Sequence, residues 1–164
     1  MRNFLKIKYK KGMSIVEIVI GASIIAVALV VLVNSYTLTA RYALSDTKVL
    51  KAAMLSEEGV EILKFMRDSG FAANIASLTN GTTYRFSWDG AEWTSTSAHS
   101  WIDSKFDRTF VLSAVNRDAS NNVVSSGGTS DSGSRKATIS VAWKENTGTT
   151  TKTIEMYLFD VFNN

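Results

Sequence analysis

Three patterns of apolar and polar positions follow one another along the chain. From Ile18 to Ala40 no side chain is charged, and the run from Ile18 to Val33 is apolar on every side of a helix. A helix that is hydrophobic all round belongs in lipid or in a large core. At 1.5 Å per residue, a helix from Met13 to Val33 is about 30 Å long, the thickness of bilayer hydrocarbon. From Leu44 to Asp68 the pattern narrows to a stripe that includes Ala52, Leu55, Ile62, Leu63 and Met66. Its opposite face carries Lys48, Lys51, Glu57, Glu58, Glu61, Lys64 and Arg67. That periodicity predicts an amphipathic continuation of the same helix, with Glu61 and Lys64 as a favourable pair and Ser69-Gly70 as its stop.

After Gly70 the period changes to two. Tyr84 to Trp88 and Ala91 to Thr94 flank Asp89-Gly90, a hairpin signal. A strand over Arg108–Asn116 puts Phe110, Leu112 and Ala114 on one face, and Asn121 to Ser125 reads as another short strand. Ala137, Ile139, Val141 and Trp143 alternate with polar positions, as do Ile154, Met156 and Leu158, and Asn146 to Thr149 joins the two runs. Ser125 to Ser134 reads as a surface loop by composition. The predicted fold is α+β. A long helix covers residues 13–70, membrane-spanning over 13–33. It packs its second half on an antiparallel meander of four to five strands within a β-rich head, residues 71–164.

Charge sharpens this layout. The chain carries a formal net charge of +3, but residues 1–12 hold Arg2, Lys6, Lys8, Lys10 and Lys11 and no acid, so the remainder sums to 3 − 5 = −2. The basic balance therefore reports a leader beside an apolar span, which keeps the N-terminus cytoplasmic. It does not report a nucleic-acid surface. The chain has no cysteine, so the head relies on its core alone.

One carboxylate interrupts the apolar run. The junction reads Lys10-Lys11-Gly12-Met13-Ser14-Ile15-Val16-Glu17-Ile18. An acidic side chain in a membrane-length segment is costly and usually functional. This junction resembles the processing site of type IV prepilins and pseudopilins. The resemblance implies peptidase cleavage after Gly12, methylation of the new N-terminus at Met13, and a role for Glu17 in guiding assembly into a filament. It also implies partners: copies of this chain and other pilins, a prepilin peptidase, an assembly platform, and the inner membrane before assembly. Location would change from single-pass membrane protein to extracellular or periplasmic filament. Glu58-Gly59-Val60-Glu61 with Arg67-Asp68-Ser69 is similar to a helix-end pattern of pilin-like proteins. Together the two matches cover about the first 70 residues. The chain departs from the family in three places. Met13 stands where phenylalanine is usual, Asn34 stands where many members have a proline, and the C-terminal disulfide loop has no counterpart.

Other chemistry is thin. His99 is the single histidine, nothing of the form G-x-S-x-G is present, and no zinc ligand set exists. No enzymatic role and no cofactor is expected. Asp118, Asn121, Asn122 and Asp131 have calcium-type oxygens without the spacing of a calcium loop, and read as solvated turn residues. Trp143 reads as core, whereas Trp93 and Trp101 sit in polar surroundings and are expected to be exposed. Asn80-Gly81-Thr82 matches a glycosylation sequon.

The alternative reading is a secreted or membrane-anchored binding domain with an ordinary signal sequence cleaved after Ala40. Leu38 suits that cleavage poorly, and the 19 residues from Ile15 to Val33 exceed the usual apolar region of about 7–15.

Overall fold

The structure, a computed structural model, describes residues 12–145 and 148–162, with only the backbone of Ser45. The chain divides into two units between Asp46 and Thr47. A single helix, α1 (Ile15–Ser69), contributes to both.

In the first unit α1 is a bare apolar helix. Ile15, Ile24, Val27 and Leu32 are all more than half exposed, and an 18-residue window of mean hydropathy 2.9 has none of its residues buried. Three of its hydroxyls bond back within the helix. Ser23 Oγ donates to the Val19 carbonyl at 2.7 Å, Thr37 Oγ1 to Val33 at 2.8 Å, and Thr39 Oγ1 to Ser35 at 3.0 Å. Such back-bonding lets hydroxyl residues sit in an apolar helix without an unmet donor.

In the second unit the same helix becomes amphipathic. Ala52, Leu55, Ser56, Gly59, Ile62, Leu63 and Met66 are buried at helical spacing, while Lys51, Glu57, Glu58 and Glu61 stay exposed. The predicted Glu61–Lys64 pair forms at 2.8 Å. Gly59 marks the closest approach of helix to sheet: a Cβ there would meet Ile139 Cγ2 at 3.2 Å and Phe86 Cε2 at 3.3 Å. Gly70, at φ +156°, ends α1 as expected. The side chain of Asn74 then donates to the Met66 carbonyl at 3.1 Å, satisfying one of the helix's last acceptors. A single π-helical turn, Ala72–Ala76, follows and delivers Phe71 and Ile75 to the core. Nothing in the alternating pattern announced it.

The sheet has six strands: β1 (Thr83–Trp88), β2 (Trp93–Thr96), β3 (Phe106–Arg117), β4 (Val123–Val124), β5 (Thr129–Glu145) and β6 (Gly148–Phe159). The predicted α+β layout holds, with a larger sheet and a different order. The strands run β2-β1-β3-β5-β6, with β4 on β3, and every pairing is antiparallel. A simple meander would place β3 beside β2. Instead β1 lies between β2 and β3, and its Phe86 and Tyr84 stack on Phe110 of β3 at 4.7 and 5.7 Å between ring centroids.

Four local expectations are corrected. The first hairpin pairs Trp88 with Trp93, so its loop is Asp89–Glu92 and the second strand does not begin at Ala91. Asp89 Oδ1 accepts from the N–H groups of Ala91 and Glu92, both at 2.9 Å, which stabilises the wider loop. Ala114 is exposed, not inward. A bulge between Ala114 and Val115 transfers the buried position to Val115. Thr129 to Ser134 is strand, not loop, because Arg117 of β3 binds Asp131 Oδ2 at 2.6 Å and Ser134 Oγ at 3.1 Å and holds the polar end of β5 in register. Trp93 is half-buried against the core, and Trp88 is the exposed member of that pair, at 52%. Of the loop expected over Asn146 to Thr149, Asn146 and Thr147 lie outside the described residues. Gly148 already pairs with Glu145.

The core lies between α1 and the sheet. Leu63, Met66, Phe71 and Ile75 meet Phe110, Leu112, Ile139 and Leu158 in one cluster. Ala52 and Leu55 meet Phe106, Val141 and Trp143 in a second. Arg108 bridges the two elements from inside. Its guanidinium, 6% exposed, donates to the Leu55 carbonyl at 3.1 Å, pairs with Glu58 at 3.0 Å, and lies 5.1 Å from the Phe86 ring centroid.

Candidate functional site

The site named by the sequence is the entry to α1. Gly12, Met13 and Ser14 precede the helix and are exposed. Ser14 is its N-cap. Its Oγ accepts from the Val16 N–H at 3.4 Å, and its carbonyl accepts from the Ile18 N–H at 3.2 Å. Glu17 turns back, and its Oε2 accepts from the Ser14 N–H at 3.0 Å. This is a capping box, S-x-x-E, which satisfies donors that the first turn leaves unpaired. A carboxylate in the first turn also opposes the positive end of the helix dipole. The capping pattern is legible at Ser14-Ile15-Val16-Glu17, where the same carboxylate is also a costly charge in an apolar segment.

The geometry constrains what Glu17 can do. Its carboxylate lies on a backbone N–H one residue from Met13. Cleavage after Gly12 would convert the Met13 nitrogen to an ammonium next to that carboxylate. Among the described residues, a Cβ built at Gly12 meets nothing within 4 Å. The leader residues before Gly12 lie outside the described residues.

The head offers no second constellation of that kind. His99 Nε2 lies 3.4 Å from Asp107 Oδ2, and its ring contacts Trp101 edge-on at 4.9 Å. Asp107 is already held by Arg85, at 2.8 and 2.9 Å. The Arg85 hydrogen bond keeps the Asp107 carboxyl below the ordinary aspartate range. Among the described residues no cluster of three His, Cys, Asp or Glu side chains is placed to hold a metal. Asp118 caps its own turn, accepting from the N–H groups of Ser120 and Asn122 at 2.9 and 2.8 Å. Asp131 is engaged by Ser134 and Arg117, which depress its pKa in that order. The carboxylates of Asp118 and Asp131 are thus engaged in a turn and an ion pair. Trp143 is core at 3% exposed and Trp101 is exposed at 47%, both as expected. Asn80 sits in an exposed turn.

Comparison of the chain with protein-family models, with curated proteins and with solved structures finds no match in any of the three.

Proposed function

We propose that this chain is a structural subunit of a type IV pilus-like or type II secretion pseudopilus filament. It is held in the membrane by the apolar part of α1, cleaved after Gly12 and polymerised through that helix. The observation that carries this reading is Glu17, the single carboxylate of the apolar segment, folded back onto Ser14 beside the bond that cleavage would break. A helix long and apolar enough to cross a membrane supports it. So does the basic leader, which orients such a helix with its N-terminus inside. In lipid, Glu17 needs a cationic partner, and the ammonium of a processed Met13 supplies one, in its own subunit or in a neighbour. The partners are copies of this chain and other pilins, a prepilin peptidase and an assembly platform. The chain performs no catalysis in this scheme and needs no cofactor.

The capping box gives an ordinary account of Glu17 and so favours a second reading, a plain signal-anchored binding domain. Against cleavage after Ala40, α1 runs unbroken through Ala40 and Arg41, where a signal peptidase needs extended chain.

Mass spectrometry of the exported protein separates the two. A mature chain beginning at methylated Met13 is expected, and one beginning at Arg41 sinks the filament reading. Glu17→Ala is expected to leave cleavage intact while abolishing incorporation into filaments. Filaments formed normally by that variant would reduce Glu17 to a cap.

A further inference from the structure

The head contains a cavity of about 430 Å³ whose lining is cationic and aromatic and includes no acid. Lys48, Lys105 and Lys144 are among its lining residues, although residues 13–164 as a whole sum to −2. Lys48 is fixed by Glu145 at 3.1 Å, and Glu145 in turn accepts from the Trp143 indole N–H at 2.8 Å. Lys105 and Lys144 are exposed, and among the described residues neither has a carboxylate within ion-pairing distance.

Two features show that this wall is held in place. Trp101, whose indole lines the cavity, is braced by His99, which leans on Asp107, which Arg85 grips with two hydrogen bonds. An aromatic face held in advance loses little freedom when a ring stacks on it. The turn that presents Lys105 is strained. Asp103 and Ser104 are successive non-glycine residues at φ 51° and 54°, in a turn closed by the Lys105 N–H on the Ile102 carbonyl at 3.0 Å. Asn-Gly is the comfortable sequence for such a turn. Strain of this kind persists where the surroundings over-determine it, and it concentrates at ligand sites.

We infer that this cavity binds an acidic sugar: a carboxylate-bearing pyranose of a polysaccharide, its ring stacked on Trp101 and its carboxylate between Lys105 and Lys144. The volume suits one or two sugar rings. Nucleic acid fits the same charge less well. It is tracked by a groove with several stacking platforms, and here one exposed indole stands alone. The inference is independent of filament assembly, since it concerns the head alone.

Calorimetric titration of the full chain in nonionic detergent tests it, with tetragalacturonate as probe, maltotetraose as the neutral counterpart and oligothymidylate as the competing polymer. Tetragalacturonate is expected to bind in a salt-sensitive manner, and maltotetraose at least about tenfold more weakly. Trp101→Ala and the double variant Lys105→Gln/Lys144→Gln are each expected to weaken tetragalacturonate binding by about tenfold or more. Lys64→Gln, on the helix face, should leave it unchanged. All three variants alter exposed or half-exposed side chains, and an unchanged melting temperature checks their folding. The proposal is overturned by absent tetragalacturonate binding, by equal binding of the neutral sugar, by unaffected variants, or by tighter binding of oligothymidylate, which would make this a nucleic-acid surface.

Discussion

The two parts of α1 share one backbone geometry and almost nothing else. Before Thr47 the helix shows its apolar side chains on every face, and none of the most apolar window is buried. After Thr47 one apolar face is covered by the sheet, with Leu63 fully buried, while Val49, Leu50, Met54 and Phe65 stay exposed. Hydrogen bonding is the same in both. The side-chain distribution differs. The first part is long and apolar enough to cross a membrane, and the second is covered by the sheet.

That contrast can be broken from either side. The largest effect is expected in the head. Phe110→Ala removes a fully buried ring that Tyr84 and Phe86 stack against, and should cost about 3–5 kcal/mol in thermal unfolding. Ile24→Ala, in the bare part, should leave that unfolding transition unmoved. Next comes Val27→Lys, which places a charge mid-way along the apolar run. It should cost about 2.5–3.5 kcal/mol in membrane insertion, read as protein released by alkaline extraction, with the head's unfolding unchanged. The smallest effect is pH-dependent and confined to the head. Arg85 lowers the pKa of Asp107, so this carboxylate contributes stability that is fully present above the ordinary aspartate value of about 3.9. That stability is lost as pH falls through the depressed value. Asp107→Asn should therefore flatten the acid limb of the stability profile below about pH 4.

The sequence made much of this visible, for a physical reason. An uncharged run from Ile18 to Ala40 and a stripe from Ala52 to Met66 are long-period signals, and many residues vote for each. Strands β5 and β6 were legible because Ala137, Ile139, Val141 and Trp143, then Ile154, Met156 and Leu158, alternate without interruption. What escaped is short or tertiary. One π-helical turn involves too few residues to establish a period. The bulge at Ala114/Val115 flips a face that alternation assigns by parity. The polar start of β5 is a strand only because Arg117 of β3 reaches Asp131 and Ser134. Arg108 opens an expected strand, and nothing in the alternation marks it as buried. Its burial became visible only when the Leu55 carbonyl, Glu58 and Phe86 were found around it. At the candidate site Gly12, Met13 and Glu17 stand out from the residue pattern, whereas the hydrogen bond that ties Glu17 to Ser14 does not. Local capping and long-range function draw on the same carboxylate there.

The core cluster that joins Leu63 and Met66 to Ile139 and Leu158 sets an order of events during synthesis. The stripe on α1 is translated first, and the last strand to cover it comes roughly a hundred residues later. At ribosomal speed that leaves the stripe without its full cover for roughly 5 to 20 seconds in every molecule made. Throughout that interval the nascent head carries an unshielded hydrophobic ridge. A holding factor, or tethering that keeps neighbouring chains apart, therefore has most to contribute before β6 emerges.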